Sequence, residues 1–200
     1  RDWTAASYGY ALMALAPETT AHGQLMGLMD GSIQGDSVVK YLFSLLGIKT
    51  HFASTEHGLP TTITLHRQPC PLHRLDYNFT GAPDLAQTFV VCCALMDVKF
   101  HFKGLQTLTM KECNRIEALQ TEMRKLGYVI ETANDDELFW EGERCTPSTE
   151  PIETYADHRM ALAFAPAAFR IKGLRINHPE VVSKSYPHYW DDLQKAGFHL

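Results

Sequence analysis

The stretch ALQTEMRKLGYVIE (residues 118–131) decides how the chain is organised. With Ile116 just before it, its apolar residues fall at Leu119, Met123 and Leu126, the spacing of one buried helical face. Gly127 then stops the helix ahead of an extended segment. The same ending occurs twice more, in KYLFSLLG (40–47) before IKTHF and in YWDDLQKAG (189–197) before FHL. The three glycines, Gly47, Gly127 and Gly197, stand 80 and then 70 residues apart, so the chain repeats itself.

Each of these helices follows a more apolar one: SYGYALMALA (7–16), DLAQTFVVCCALM (84–96) and HRMALAFAPAAF (158–169). Helices that are hydrophobic nearly all round belong in an interior, with sheets packed outside them. Strand candidates lie between and after the helices: KFHFKGL (99–105), LRINH (174–178), HFAST (51–55), TITLHR (62–67) and ELFWEG (137–142). The reading is one α/β domain over 1–200, built from units of βαβαββ type at about 1–80, 81–150 and 151–200. They are related by a pseudo-threefold axis, and the third is incomplete.

With 45% hydrophobic residues the chain can bury a real core, and a net charge of −5 argues against a nucleic-acid or anionic-membrane partner. No apolar run is long enough to span a bilayer, and the odd count of five cysteines without CxxC spacing fits a reducing cytoplasm. His66, Cys70 and His73 are the nearest approach to a metal pattern; with prolines between them and no fourth ligand, no metal is expected. The chain opens on Arg1-Asp2-Trp3 rather than methionine and reads as a fragment.

The polar residues gather at the expected helix starts. Asn114 with Glu117, and Asp84 with Gln87, have capping-box spacing, Asp157 can cap, and Ser185 before Pro187 can open a helix. Caps do not account for Lys111, Arg115, Arg159 and Lys184, because cations oppose the positive end of a helix unless an anion is bound there.

Six stretches carry a resemblance to a family. GAPDLAQT (81–88), MKECNRIEAL (110–119), TYADHRMALAF (154–164) and VVSKSYP (181–187) resemble, in order and spacing, the second half of the 5-enolpyruvylshikimate-3-phosphate synthases (3-phosphoshikimate 1-carboxyvinyltransferases). DWTAASY (2–8) is similar to that family's DxSxASY segment and SIQGD (32–36) to its [SM]xQGD; the ending KAGFHL resembles a bacterial C-terminus. The resemblance implies transfer of the enolpyruvyl group of phosphoenolpyruvate to the 5-hydroxyl of shikimate 3-phosphate, on the shikimate pathway to chorismate and the aromatic amino acids. It implies no cofactor, and a monomeric full-length enzyme in the cytoplasm.

By the same resemblance Asp84 is the base near the sugar hydroxyl and Glu112 the acid that protonates, and later deprotonates, the methylene carbon. Lys111, with Thr107, holds shikimate 3-phosphate; Arg115, Arg159 and Lys184 hold phosphoenolpyruvate. Cys113-Asn114 stand where the family has [ST]D, and Thr107 where many members carry asparagine. The N-terminal domain of the same polypeptide would supply the other half of the site, so this half is expected to be inactive alone. UDP-N-acetylglucosamine enolpyruvyl transferase and a non-catalytic anion-binding module are the alternatives, and DHRM and KSYP favour the shikimate enzyme over the former.

Overall fold

Six α-helices and seven strands occur among residues 2–17, 21–54 and 59–199, the part of the chain that the computed structural model describes. Arg1, Thr55 at the end of the expected strand HFAST, and Leu200 lie outside it. The three apolar helices are α1 (Trp3–Leu15), α3 (Ala86–Leu95) and α5 (His158–Phe164). All ten residues of α3 are buried, as an unbroken FVVCCAL run requires. The three helices pack against one another pairwise, and their shared core holds Tyr10, Phe43, Phe79, Phe89 and Phe164. The thiols of Cys92 and Cys93 lie in this core, where burial pushes them far up from the ordinary cysteine range and leaves them inert.

The helix of the opening stretch is α4 (Arg115–Lys125); Ile116, Leu119, Met123 and Leu126 are all buried as their spacing requires. Asn114 caps it by accepting from Glu117 N at 3.4 Å, while the return bond of a capping box is not formed. Arg124 and Lys125 in its last turn favour the negative helix end. The remaining helices are α2 (Val39–Leu45) and α6 (Tyr189–Lys195). Gly47, Gly127 and Gly197 follow α2, α4 and α6 with φ of 95°, 93° and 95°, the left-handed helix stop that glycine adopts without strain.

Two sheets flank the helices. One joins β1 (His22–Leu28), β3 (Thr61–Arg67) and β2 (Ile48–Phe52) in that order, all antiparallel. The other has the order β4 (Arg74–Asn78), β5 (Lys99–Lys103), β7 (Glu137–Trp140), β6 (Glu131–Ala133). The order β5-β7-β6 reproduces β1-β3-β2, and β4 adds a strand parallel to β5. Arg74–Asn78 thus pairs with the strands that follow residue 81, although the sequence reading ends its first unit at 80.

LRINH is not a strand. Only Ile176 makes a bridge, parallel to Ile152, because the segment meets no further strand among the described residues. The helix run 158–169 turns into a 3₁₀ segment at 165–169, where Pro166 removes a backbone donor. Glycine-rich HGQLMGL (22–28), strand β1, lacks the β-branched residues that would have marked it.

Candidate functional site

Asp84, Lys111, Glu112, Arg115, Arg159 and Lys184 come from four separate segments and meet in one ion network. Arg115, the first residue of α4 and 1% exposed, is its centre. Its Nε donates to Asp157 Oδ2 at 2.6 Å and its Nη2 to Asp157 Oδ1 at 3.2 Å. Nη1 donates to Asp84 Oδ1 at 3.0 Å, and Nη2 also to Glu112 Oε2 at 2.8 Å. A guanidinium at a positive helix end is unfavourable alone, and here three carboxylates offset it. The other cations are paired as well. Lys111 Nζ lies 3.5 Å from Asp84 Oδ1, Arg159 Nη2 lies 3.0 Å from Asp84 Oδ2, and Lys184 donates to Glu112.

This corrects the expectation that only a bound anion could make these cations favourable: the protein's own carboxylates neutralise them. The helix-start reading also needs correction. Arg115 and Arg159 do occupy first turns, but Lys111 follows a 3₁₀ segment (Gln106–Met110) and Lys184 ends another (Pro179–Lys184). Asp84 caps nothing. It lies in a 3₁₀ turn, Pro83–Leu85, whose side chains make no cap, and its carboxylate is taken up by the three cations. Ser185 does not open α6 either; His188 stands at that start. Thr107 is exposed on a 3₁₀ segment, Gln106–Met110, and among the described residues no side-chain hydrogen bond or ion pair joins it to the network. His66 lies edge-on to His51 across β3 and β2, and Cys70 donates to Leu72 O, so neither faces the network.

Asp157 does cap α5, accepting from Arg159 N at 2.9 Å, but capping is its lesser role. At 0% exposure it also holds Arg115 and accepts from Cys113 Sγ at 3.5 Å. Burial, and then Asp157, push the Cys113 thiol up to about 12, so it is a neutral donor there. Tyr8 and Gln34 adjoin the same network and are absent from the residues singled out in the sequence, whereas His158 stands between Asp157 and Arg159, which the sequence did single out. Tyr8 OH accepts from Arg159 Nη1 at 3.2 Å, and burial raises its pKa to about 12. Gln34 ties the start of α1 to this surface, accepting from Trp3 N and donating to Asp2 Oδ1. Thr4 donates to Asp36, whose carboxyl burial raises and the nearby Asp84 raises further. Signals for Tyr8 and Gln34 were present in DWTAASY and SIQGD, since buried polar groups in such runs need partners.

His158 Nδ1 is buried without a hydrogen bond, 3.9 Å from both Glu112 and Asp157; burial and the neighbouring Arg159 lower its pKa and keep the ring neutral. Glu112 is held at about 2, chiefly by the hydrogen bond from Lys184, so it is a carboxylate here. The network therefore sets three acceptors, Asp84, Glu112 and Asp157, against four cations, Lys111, Arg115, Arg159 and Lys184.

Fold and site together define a mixed α/β domain that carries one charged site. The EPSP synthase (3-phosphoshikimate 1-carboxyvinyltransferase) family model matches residues 5–193, and the chain belongs to that family. It is 54% identical over all 200 residues to a 3-phosphoshikimate 1-carboxyvinyltransferase of Bacteroides fragilis, of which it covers 47%. It is 31% identical over 95% of its length to the enzyme of that name from Cellvibrio japonicus, of which it covers 42%. Thus the chain spans about half the length of the curated relatives it matches. An EPSP synthase structure from Acinetobacter baumannii superposes on 97% of the chain and 45% of its own, with a TM-score of 0.73 at 20% identity, a match in fold. Among the described residues no helix is long and apolar enough to cross a membrane.

Proposed function

We propose that this chain forms one half of the active site of an enzyme that transfers the enolpyruvyl group of phosphoenolpyruvate to the 5-hydroxyl of shikimate 3-phosphate. The other half comes from the rest of the same polypeptide. The observation that carries this reading is the single network linking Asp84, Lys111, Glu112, Arg115, Arg159 and Lys184. Two candidate proton carriers stand in it beside four cations, and the substrates together carry two phosphates and two carboxylates.

The reaction forms a bond between the 5-hydroxyl oxygen of shikimate 3-phosphate and C2 of phosphoenolpyruvate while a proton adds to the methylene carbon of phosphoenolpyruvate. The tetrahedral intermediate then loses phosphate as that proton leaves. Asp84 takes the hydroxyl proton, and Glu112 delivers the carbon proton and later recovers it. A carboxylate held at about 2 cannot deliver a proton at neutral pH. Substrate binding therefore exchanges partners: Lys184 leaves Glu112 for an anionic group of phosphoenolpyruvate, and the carboxyl's proton affinity rises. Arg159 likewise leaves Asp84, freeing a base, while Lys111 turns to shikimate 3-phosphate. Arg115 is the most deeply buried cation, and its first contact with phosphoenolpyruvate needs the carboxylates to open. Thr107, exposed nearby in sequence to Lys111, reaches shikimate 3-phosphate only once the domains close.

The proposed architecture is a pseudo-threefold set of βαβαββ-type units, the third completed by chain from elsewhere in the polypeptide. The shared strand order of the two sheets and the pairwise packing of α1, α3 and α5 support it. Phosphate release from both substrates tests the reading. The 200-residue chain alone releases none, because reacting groups must be placed within about half an ångström. In the full-length enzyme Glu112→Gln lowers kcat by roughly 10²–10⁴. A loss of less than about threefold there would exclude Glu112 as the proton carrier.

A further inference from the structure

Immediately before Asp157, His158 and Arg159 the backbone makes an unfavourable turn. Tyr155 and Ala156 have φ of 55° and 54°, two successive non-glycine residues in the left-handed region. In the same turn Thr154 Oγ1 is buried without a partner among the described residues. Neither feature is favoured locally, so something else imposes this conformation.

The second layer of α4 does so. Glu122, 0% exposed, accepts from Tyr155 OH at 2.7 Å through Oε1 and from Glu153 N at 3.0 Å through Oε2. Lys125 Nζ lies 2.8 Å from Glu122 Oε2 and donates to Pro151 O at 3.0 Å. Seven residues earlier on the same helical face, Arg115 grips Asp157. Two helical turns separate these grips, about 10 Å, so segment 151–157 is fastened at both ends to one rigid face. This buried carboxylate takes no part in the chemistry described above, and apart from Lys125 on its own helix its partners, Glu153 N and Tyr155 OH, lie in the segment that leads to Arg159.

We infer that Glu122, with Tyr155 and Lys125, is a positioning clasp that holds the left-handed turn at 155–156 and thereby aims Arg159 at phosphoenolpyruvate. The inference rests on the substrate role given to Arg159 above. Without the clasp the two residues relax toward negative φ, and the first turn of α5 shifts with them. A displacement on the order of 1 Å can cost a hundredfold in rate, so partial loosening by one lost bond is worth roughly tenfold.

The test is steady-state kinetics of the full-length enzyme with each substrate varied. Tyr155→Phe removes only a hydroxyl from a ring that is 40% exposed and leaves the fold intact. It should raise the KM for phosphoenolpyruvate roughly tenfold while that for shikimate 3-phosphate stays within about twofold. Glu122→Gln should act in the same direction and further. Adding Ala156→Gly to Tyr155→Phe should recover much of the loss, since glycine adopts this φ unaided. Arg159→Ala is the reference. If it leaves the phosphoenolpyruvate KM unchanged, the role given to Arg159 fails, and the inference with it. If it raises that KM while Tyr155→Phe and Glu122→Gln lower only Tm, the clasp is a stability device and the inference alone is overturned.

Discussion

Replacing Asp157 by asparagine isolates the keystone of the charged network. The carboxylate is fully buried, gives two hydrogen bonds' worth of acceptance to Arg115, and caps α5 through Arg159 N. Removing one partner of a buried ion pair costs about 3–5 kcal/mol, mostly because a buried charge is left uncompensated. Two features place this case at the low end. Asparagine still caps the helix, and Asp84 and Glu112, each 25% exposed, still face the guanidinium. We expect a loss of about 3 kcal/mol, which for a domain of this size lowers Tm by about 6–12 °C. Calorimetry of the full-length protein measures it, with Arg115→Met and the double variant completing a cycle. The double variant should lose less than the sum of the single ones, since each single change strands a charge that the other removes. A single-variant loss below about 1 kcal/mol, or strict additivity, would show that Arg115 is held by Asp84 and Glu112 alone.

Two further outcomes follow from the same geometry. Glu112 sits near 2 rather than at its ordinary 4.5 mainly because Lys184 bonds to it, so its contribution to stability is whole above 4.5 and disappears as pH falls toward 2. Lys184→Met should raise that midpoint, read by carbon NMR of the glutamate carboxyls; an unmoved midpoint would assign the depression to Arg115. For the three helix-stop glycines, alanine at Gly197 meets open space and suffers only left-handed strain, about 1–2 kcal/mol. At Gly127 the new Cβ would lie 3.1 Å from Cys145 O, and at Gly47 only 2.4 Å from Gln68 O. Denaturation midpoints should therefore fall in the order Gly47, Gly127, Gly197, largest first, and a uniform loss would mean that strain alone matters.

The four cations show where reading along the chain stops. Lys111, Arg115, Arg159 and Lys184 were legible as a group because they lie in recognisable motifs near helix ends. What neutralises them was not legible, since Asp84 and Asp157 look like ordinary caps when only neighbours in sequence are considered. Arg115 is 31 residues from Asp84 and 42 from Asp157, and no local rule links residues at that separation. The capping reading succeeded at Asn114 and Asp157, where the partner is two or three residues away, and failed at Asp84, where tertiary partners outbid a local bond.

Periodicity and punctuation alone determined the helices, their apolar faces and their glycine stops, because those depend on the chirality of the backbone and on contacts a few residues apart. Motif order determined the family. Only the tertiary structure decided that β4 joins the second sheet, that LRINH makes a single bridge, and that Glu122 reaches the turn before Arg159. Strand pairing and buried polar partnerships depend on which distant segments the hydrophobic core brings together. Burial then fixes the sign of each charge's environment, and that is a property of the packed molecule rather than of any stretch within it.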